Sequence, residues 1–144
     1  MPDDTLIRWQ KEQREQLGSA IALLFGISSA SLAFCASLLT IDSLTLGDDK
    51  TWFFLSAVTF FVLAILASVG ATLSRLRDFR VTVKIVEKRD KPEEKAEVEK
   101  LRVRSRRLGE LTWWLFYAQL FTFCVGAVCL LITLWHVFHS KLFP

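Results

Sequence analysis

LTWWLFYAQLFTFCVGAVCLLITLWHVF, residues 111–138, runs for 28 positions without an aspartate, glutamate, lysine or arginine. A bilayer's hydrocarbon core is about 30 Å thick, and about 20 helical residues cross it. Lipid offers no water to a peptide backbone, so a segment that spans it must satisfy its own amides, which a helix does. Tryptophans mark both ends of this stretch, Trp113 and Trp114 at the start and Trp135 near the finish. The 22 steps from Trp113 to Trp135 cover about 33 Å at 1.5 Å per residue, and indole rings favour headgroup depth at both interfaces. The stretch reads as a transmembrane helix.

Two more blocks of the same kind precede it. Residues 52–74 hold 23 uncharged positions beginning at Trp52, and residues 17–41 hold 25. The chain's 52% hydrophobic content is gathered into these three blocks rather than spread at helical or strand period. The expected fold is therefore an all-α membrane protein with three transmembrane helices. The segments are an N-terminal stretch 1–16, spans at 17–41, 52–74 and 111–138, a short loop 42–51, a charged stretch 75–110 and a tail 139–144. The first span follows a short basic region, as a secretory signal does. Ser31-Leu32-Ala33 resembles a cleavage motif, but the segment is expected to stay on. A lipoprotein site at Cys35 is disfavoured by bulky Phe34.

Charge sets the expected orientation. Residues 1–16 carry three basic side chains (Arg8, Lys11, Arg14) and residues 75–110 carry thirteen, against Lys50 alone in the short loop and Lys141 alone in the tail. Basic residues stay on the cytoplasmic side, so the N-terminus and the long charged stretch are expected inside and the C-terminus outside. Trp9, beside Leu6 and Ile7, would then rest on the inner headgroups. The compact N-terminal stretch lacks an Arg/Ser-rich presequence, which favours a bacterial inner membrane.

The charged stretch has the composition of helix rather than of linker. No glycine or proline interrupts residues 75–89, and Asp90-Lys91-Pro92-Glu93 reads as a helix start, with Asp as cap, Pro in the first turn and Glu three after the cap. Helices two and three are thus expected to extend into a cytoplasmic antiparallel helical hairpin of about 20 Å. Its predicted seam is a pair of heptad stripes, Leu76, Phe79, Val83 and Val86 on one arm and Val98, Leu101, Ser105 and Leu108 on the other. Val81 and Ile85 would leave apolar surface for a partner. Gly109 is the weak point of the returning arm.

The basic residues nearest the membrane are all arginine: Arg75, Arg77, Arg80, Arg102, Arg104, Arg106 and Arg107. Guanidinium groups fork phosphate oxygens, so these seven are candidate contacts to anionic lipid headgroups. Nucleic acid is not an expected partner, because the same stretch carries eight acids and no interleaved aromatic platform.

Within the spans no charged residue offers a proton relay or an ion-coupling site. Small residues line two candidate packing seams, Gly26, Ser29 and Ala33 on the first span and Ala64, Ala67 and Ala71 on the second. The third carries a polar stripe at three-and-four spacing: Gln119, Thr122, Gly126, Cys129, Thr133 and His136. Two readings fit that stripe, glue between helices of one chain or the lining of an oligomeric pore. Asp48 or Asp49 is expected to cap the second span. Cys35, Cys124 and Cys129 fit neither a disulfide framework nor a zinc spacing. His136 and His139 make only half a metal site, and no nucleophile or metalloprotease motif is present. No cofactor and no enzymatic activity are expected. An oligomerising scaffold or accessory subunit of a membrane complex is the first expectation, and a pore-forming oligomer the alternative.

Overall fold

The computed structural model describes residues 2–40, 48–88 and 95–142, with side chains for all of these except 2–11, 14, 48–50 and 140–142. Three helices make up the described chain: α1, Pro2–Leu39; α2, Asp48–Lys88; and α3, Lys95–Leu142. All three are long and apolar enough to cross a membrane. The 41 residues of α2 and 48 of α3 reach about 62 and 72 Å at 1.5 Å per residue. Each therefore outruns a hydrocarbon core of about 30 Å by a further 30 Å or more. Residues 75–88 and 95–110 continue the same helices, and α3 passes through Gly109 as helix. The Asp90–Glu93 start signal lies outside the described residues. Asp48 and Asp49 fall inside the first turn of α2 rather than ahead of it.

α2 lies between the other two in the network of contacts, pairing mainly with α3 and less with α1. Within the spans its buried line is Phe54, Ala57, Phe61, Ala64, Ser68 and Ala71. Ala57, Ala64 and Ala71 recur every seven residues and are fully buried, so the neighbouring backbones approach closely at each. At the end nearest the C-terminus of α1, Phe54, Ala57 and Phe61 close a core cluster with Cys35, Leu38 and Leu130.

The face that α1 presents differs from the predicted small-residue seam. Its buried positions are Ile21, Ser28, Cys35 and Leu38, whereas Gly26 and Ala33 are exposed and Ser29 is half-buried. A Cβ added at Gly26 would meet nothing within 4 Å. On this face the carbonyl of Ile21 accepts side-chain hydrogen bonds from both α2 and α3, Cys35 and Leu38 join the apolar cluster, and Gly26 and Ala33 lie on the other side of the helix. On α2 the prediction fares differently, with Ala64 and Ala71 buried and Ala67 half-buried.

Beyond the spans α2 and α3 remain in contact, running in opposite directions. Ser74 Oγ donates to Leu108 O at 3.1 Å and receives a bond from Thr112 Oγ1 at 3.0 Å. Ser105 Oγ donates to Asp78 Oδ1 at 2.5 Å, and Lys88 Nζ meets Glu97 Oε2 at 2.6 Å. The α3 side of this contact uses the predicted stripe, with Val98 buried and Leu101, Ser105 and Leu108 half-buried. The α2 side does not. Leu76, Phe79, Val83 and Val86 are 57%, 70%, 51% and 65% exposed, and the line against α3 is Ser74, Asp78, Val81, Ile85 and Lys88. A straight helix keeps one packed face along its length. The face begun at Ala71 therefore continues through Ser74, Asp78 and Val81, where polar bonds are interspersed with apolar contact.

Candidate functional site

Four groups of residues are candidates for function: the polar stripe of α3, the interface aromatics, the contact between the charged arms, and the basic side chains around it.

The stripe faces inward over most of its length. Gln119 is fully buried, and its Nε2 donates to Ile21 O at 3.4 Å. Gly126 is buried against α2, where an added Cβ would sit 3.2 Å from Phe60 Cβ and from the Phe61 ring. Thr133 is buried and bonds to its own helix at Cys129 O, 2.9 Å away. Thr122 likewise bonds back, to Ala118 O and Gln119 O. Thr122 and Cys129 are half-buried, and His136 is exposed. The stripe thus brings Gln119, Gly126 and Thr133 together against the other helices of the same chain, and leaves His136 outside. Two buried polar atoms, Gln119 Oε1 and Ser28 Oγ, make no hydrogen bond. Leaving such an atom unsatisfied costs about 1–3 kcal/mol, so this polar junction ties the helices together only weakly.

Among the interface aromatics, Trp52, Trp113, Trp114 and Trp135 are all exposed. Trp113 stacks edge-on with Phe116 at 6.1 Å, and Trp135 lies 5.8 Å from the His139 ring. Trp9 belongs to α1, and its side chain lies outside the described residues.

The contact between the arms is polar at its ends and apolar between them, with Val81 and Val98 buried. At its far end Lys88 holds the Glu97 carboxyl below the ordinary carboxylate range, by hydrogen bond first and by charge second, with Lys100 and Lys84 adding to the field. At its near end a cleft of about 510 Å³ opens where α1 meets α2 and α3, bordered by Leu17, Arg75, Asp78, Phe79 and Trp113. The Arg75 guanidinium rests on Gly18 there.

The predicted headgroup arginines fall into different surroundings. Arg75 is half-buried at the cleft, and Arg77, Arg80, Arg102, Arg104, Arg106 and Arg107 are exposed. Arg77, Arg80 and Arg104 border a single groove between α2 and α3, joined by Lys84. Arg102 and Arg106 are paired along their own helix with Glu99 and Glu110. Among the described residues no group of three or more His, Cys, Asp or Glu is placed to hold a metal ion.

Sequence reasoning missed Ser68 and Asp78 as contact-forming polar residues, and it placed Ser105 in the seam without naming its partner Asp78. Ser68 had a visible signal, since it continues the Ala64–Ala71 line at three-and-four spacing. No family model, curated protein or solved structure matches the chain.

Proposed function

We propose that this protein is a small multi-pass scaffold or accessory subunit of a bacterial inner membrane, which assembles with itself or with a membrane complex. In this reading the N-terminus is cytoplasmic and the C-terminus outside, as the basic residues favour. α2 and α3 extend as a helical hairpin into the cytoplasm and offer a basic surface to a partner or to anionic lipid. The observation that carries the reading is the apolar stripe of Leu76, Phe79, Val83 and Val86. These are four large side chains, each more than half exposed, on a segment with thirteen basic and eight acidic residues. Inside lipid an exposed leucine needs no explanation, but in a charged helix beyond the spans such a stripe marks an interaction surface.

The pore alternative has weaker support. Gln119, Gly126 and Thr133 are spent on contacts within the protomer, and lining a pore would require α3 to abandon them.

Photo-crosslinking residues placed at Phe79 and Val83, in native membranes, test the proposal. A polypeptide adduct at both positions, absent from the same probe at Arg102, is the expected result. A chain that forms no adduct at either stripe position and has monomeric mass in nanodiscs would overturn it.

A further inference from the structure

Three basic side chains of the two arms are paired with carboxylates. Arg102 lies 3.9 Å from Glu99, Arg106 lies 3.5 Å from Glu110, and Lys88 is bound to Glu97. Arg77, Arg80 and Lys84 of α2 and Arg104 of α3 instead surround one groove of about 470 Å³, floored by Val81 and Leu101. No carboxylate borders that groove, and among the described residues none of these four is in an ion pair. Four like charges around one concavity repel one another and raise the local potential, which a polyanion relieves.

The cations are also arranged in depth. Arg77 stands three residues beyond Ser74, where the uncharged span ends. Lys84 lies seven residues further on, about 10 Å along the helix. They form a column leading away from headgroup depth. A lone phosphodiester carries one negative charge and occupies one level of that column. A second phosphate further out reaches the rest, and three of the four cations are arginines, which bind phosphate oxygens in pairs. The aliphatic floor suits the carbon skeleton between two phosphates.

We propose that this groove binds the headgroup of a lipid that carries a terminal phosphomonoester beyond its backbone phosphodiester. The assignment rests on the reading that the α2–α3 arms project from a membrane surface. Arg77 takes the phosphodiester. The monoester, with a charge of about −1.5 to −2 at neutral pH, lies between Arg80 and Arg104 with Lys84 beyond it.

The test uses the full chain in zwitterionic nanodiscs doped with phosphatidylinositol 4-phosphate, phosphatidylinositol or phosphatidylglycerol at equal mole fraction, with retained lipids counted by native mass spectrometry. The expected result is retention of the phosphatidylinositol 4-phosphate over the other two by about tenfold or more. Arg80→Gln with Arg104→Gln abolishes that preference, and Arg102→Gln with Arg106→Gln leaves it intact. Equal retention of the three lipids, or the same loss in both double variants, would overturn the proposal. So would displacement by an equal concentration of soluble inositol 1,4-bisphosphate, which would make the ligand a free phosphate ester. Trypsin resistance of the arms separates the two levels of failure: resistant arms without lipid preference sink the groove alone, and cleaved arms sink the projecting arms as well.

Discussion

Ser68 on α2 and Gln119 on α3 donate to the same oxygen, the backbone carbonyl of Ile21 on α1, each at 3.4 Å. A carbonyl has two lone pairs, and its own helix uses one, so the two side-chain donors share the other, in keeping with their length. Three helices therefore meet at a single acceptor in the middle of apolar surroundings. Both bonds are long, and Gln119 Oε1 has no partner among the described residues, so the junction stabilises the packing of the helices only slightly.

Gln119→Leu should accordingly cost little. Hydrogen bonds between membrane helices average about 0.6 kcal/mol, and the substitution also removes an unsatisfied oxygen. A loss below about 1 kcal/mol in reversible unfolding is expected, with the mass of the assembly unchanged. A collapse of oligomeric mass in Gln119→Leu would return the stripe to the role of an intermolecular surface.

The two glycines named in the polar and small-residue lines should respond in opposite directions. At Gly126 a methyl group would lie 3.2 Å from Phe60 Cβ and the Phe61 ring, neither of which is the free end of a flexible chain. Gly126→Ala is expected to destabilise by about 1 kcal/mol, overpacking exceeding the gain in helix propensity. Gly26→Ala meets nothing and should be neutral or stabilising by up to about 1 kcal/mol. Thermal unfolding of the two variants in one detergent makes the comparison.

Val81 and Val83 are two residues apart and on opposite sides of α2, one buried against α3 and the other 51% exposed. Val81→Asp should part the arms and expose their many lysines and arginines to trypsin. Val83→Asp should leave them as resistant as the parent chain while weakening any partner held by the stripe. The reverse pattern would restore the apolar seam expected from the sequence.

That expectation shows where the sequence was legible and where it was not. Three helices long and apolar enough to cross a membrane could be read from length and the absence of charge. The seam of α3 was legible too, since Val98, Leu101, Ser105 and Leu108 stay in phase with Gln119, Gly126 and Thr133 across both environments. The seam of α2 was hidden because beyond the span Val81 and Ile85 share it with Asp78 and Lys88, polar residues whose partners Ser105 and Glu97 lie on another helix. The face of α1 was hidden for a different reason: its buried line of Ile21, Ser28, Cys35 and Leu38 mixes small polar and apolar residues, and one of its contacts is a backbone carbonyl, which no sequence pattern displays. The unneutralised groove is likewise invisible in a string, where Arg102 and Arg104 look alike.

The far end of the arms should respond to acid. Glu97 is held below its ordinary range by Lys88, so its native form binds protons less readily than its unfolded form. The contribution of the pair is therefore complete above the ordinary glutamate range and is lost as pH falls through the lowered value. Chemical shifts at the Glu97 carboxyl should titrate below the ordinary glutamate range, and Lys88→Gln should raise the midpoint. A Glu97 midpoint that Lys88→Gln leaves unmoved would contradict the Lys88–Glu97 contact.

Amide hydrogen exchange on the full chain in nanodiscs tests the projecting arms most directly, because both proposed surfaces depend on them. Slow exchange is expected through residues 74–88 and 98–112, strongest near Val81 and Ser105 where the two helices meet. Fast exchange throughout 78–105 would contradict the account, leaving neither the apolar stripe nor the basic groove a scaffold to stand on.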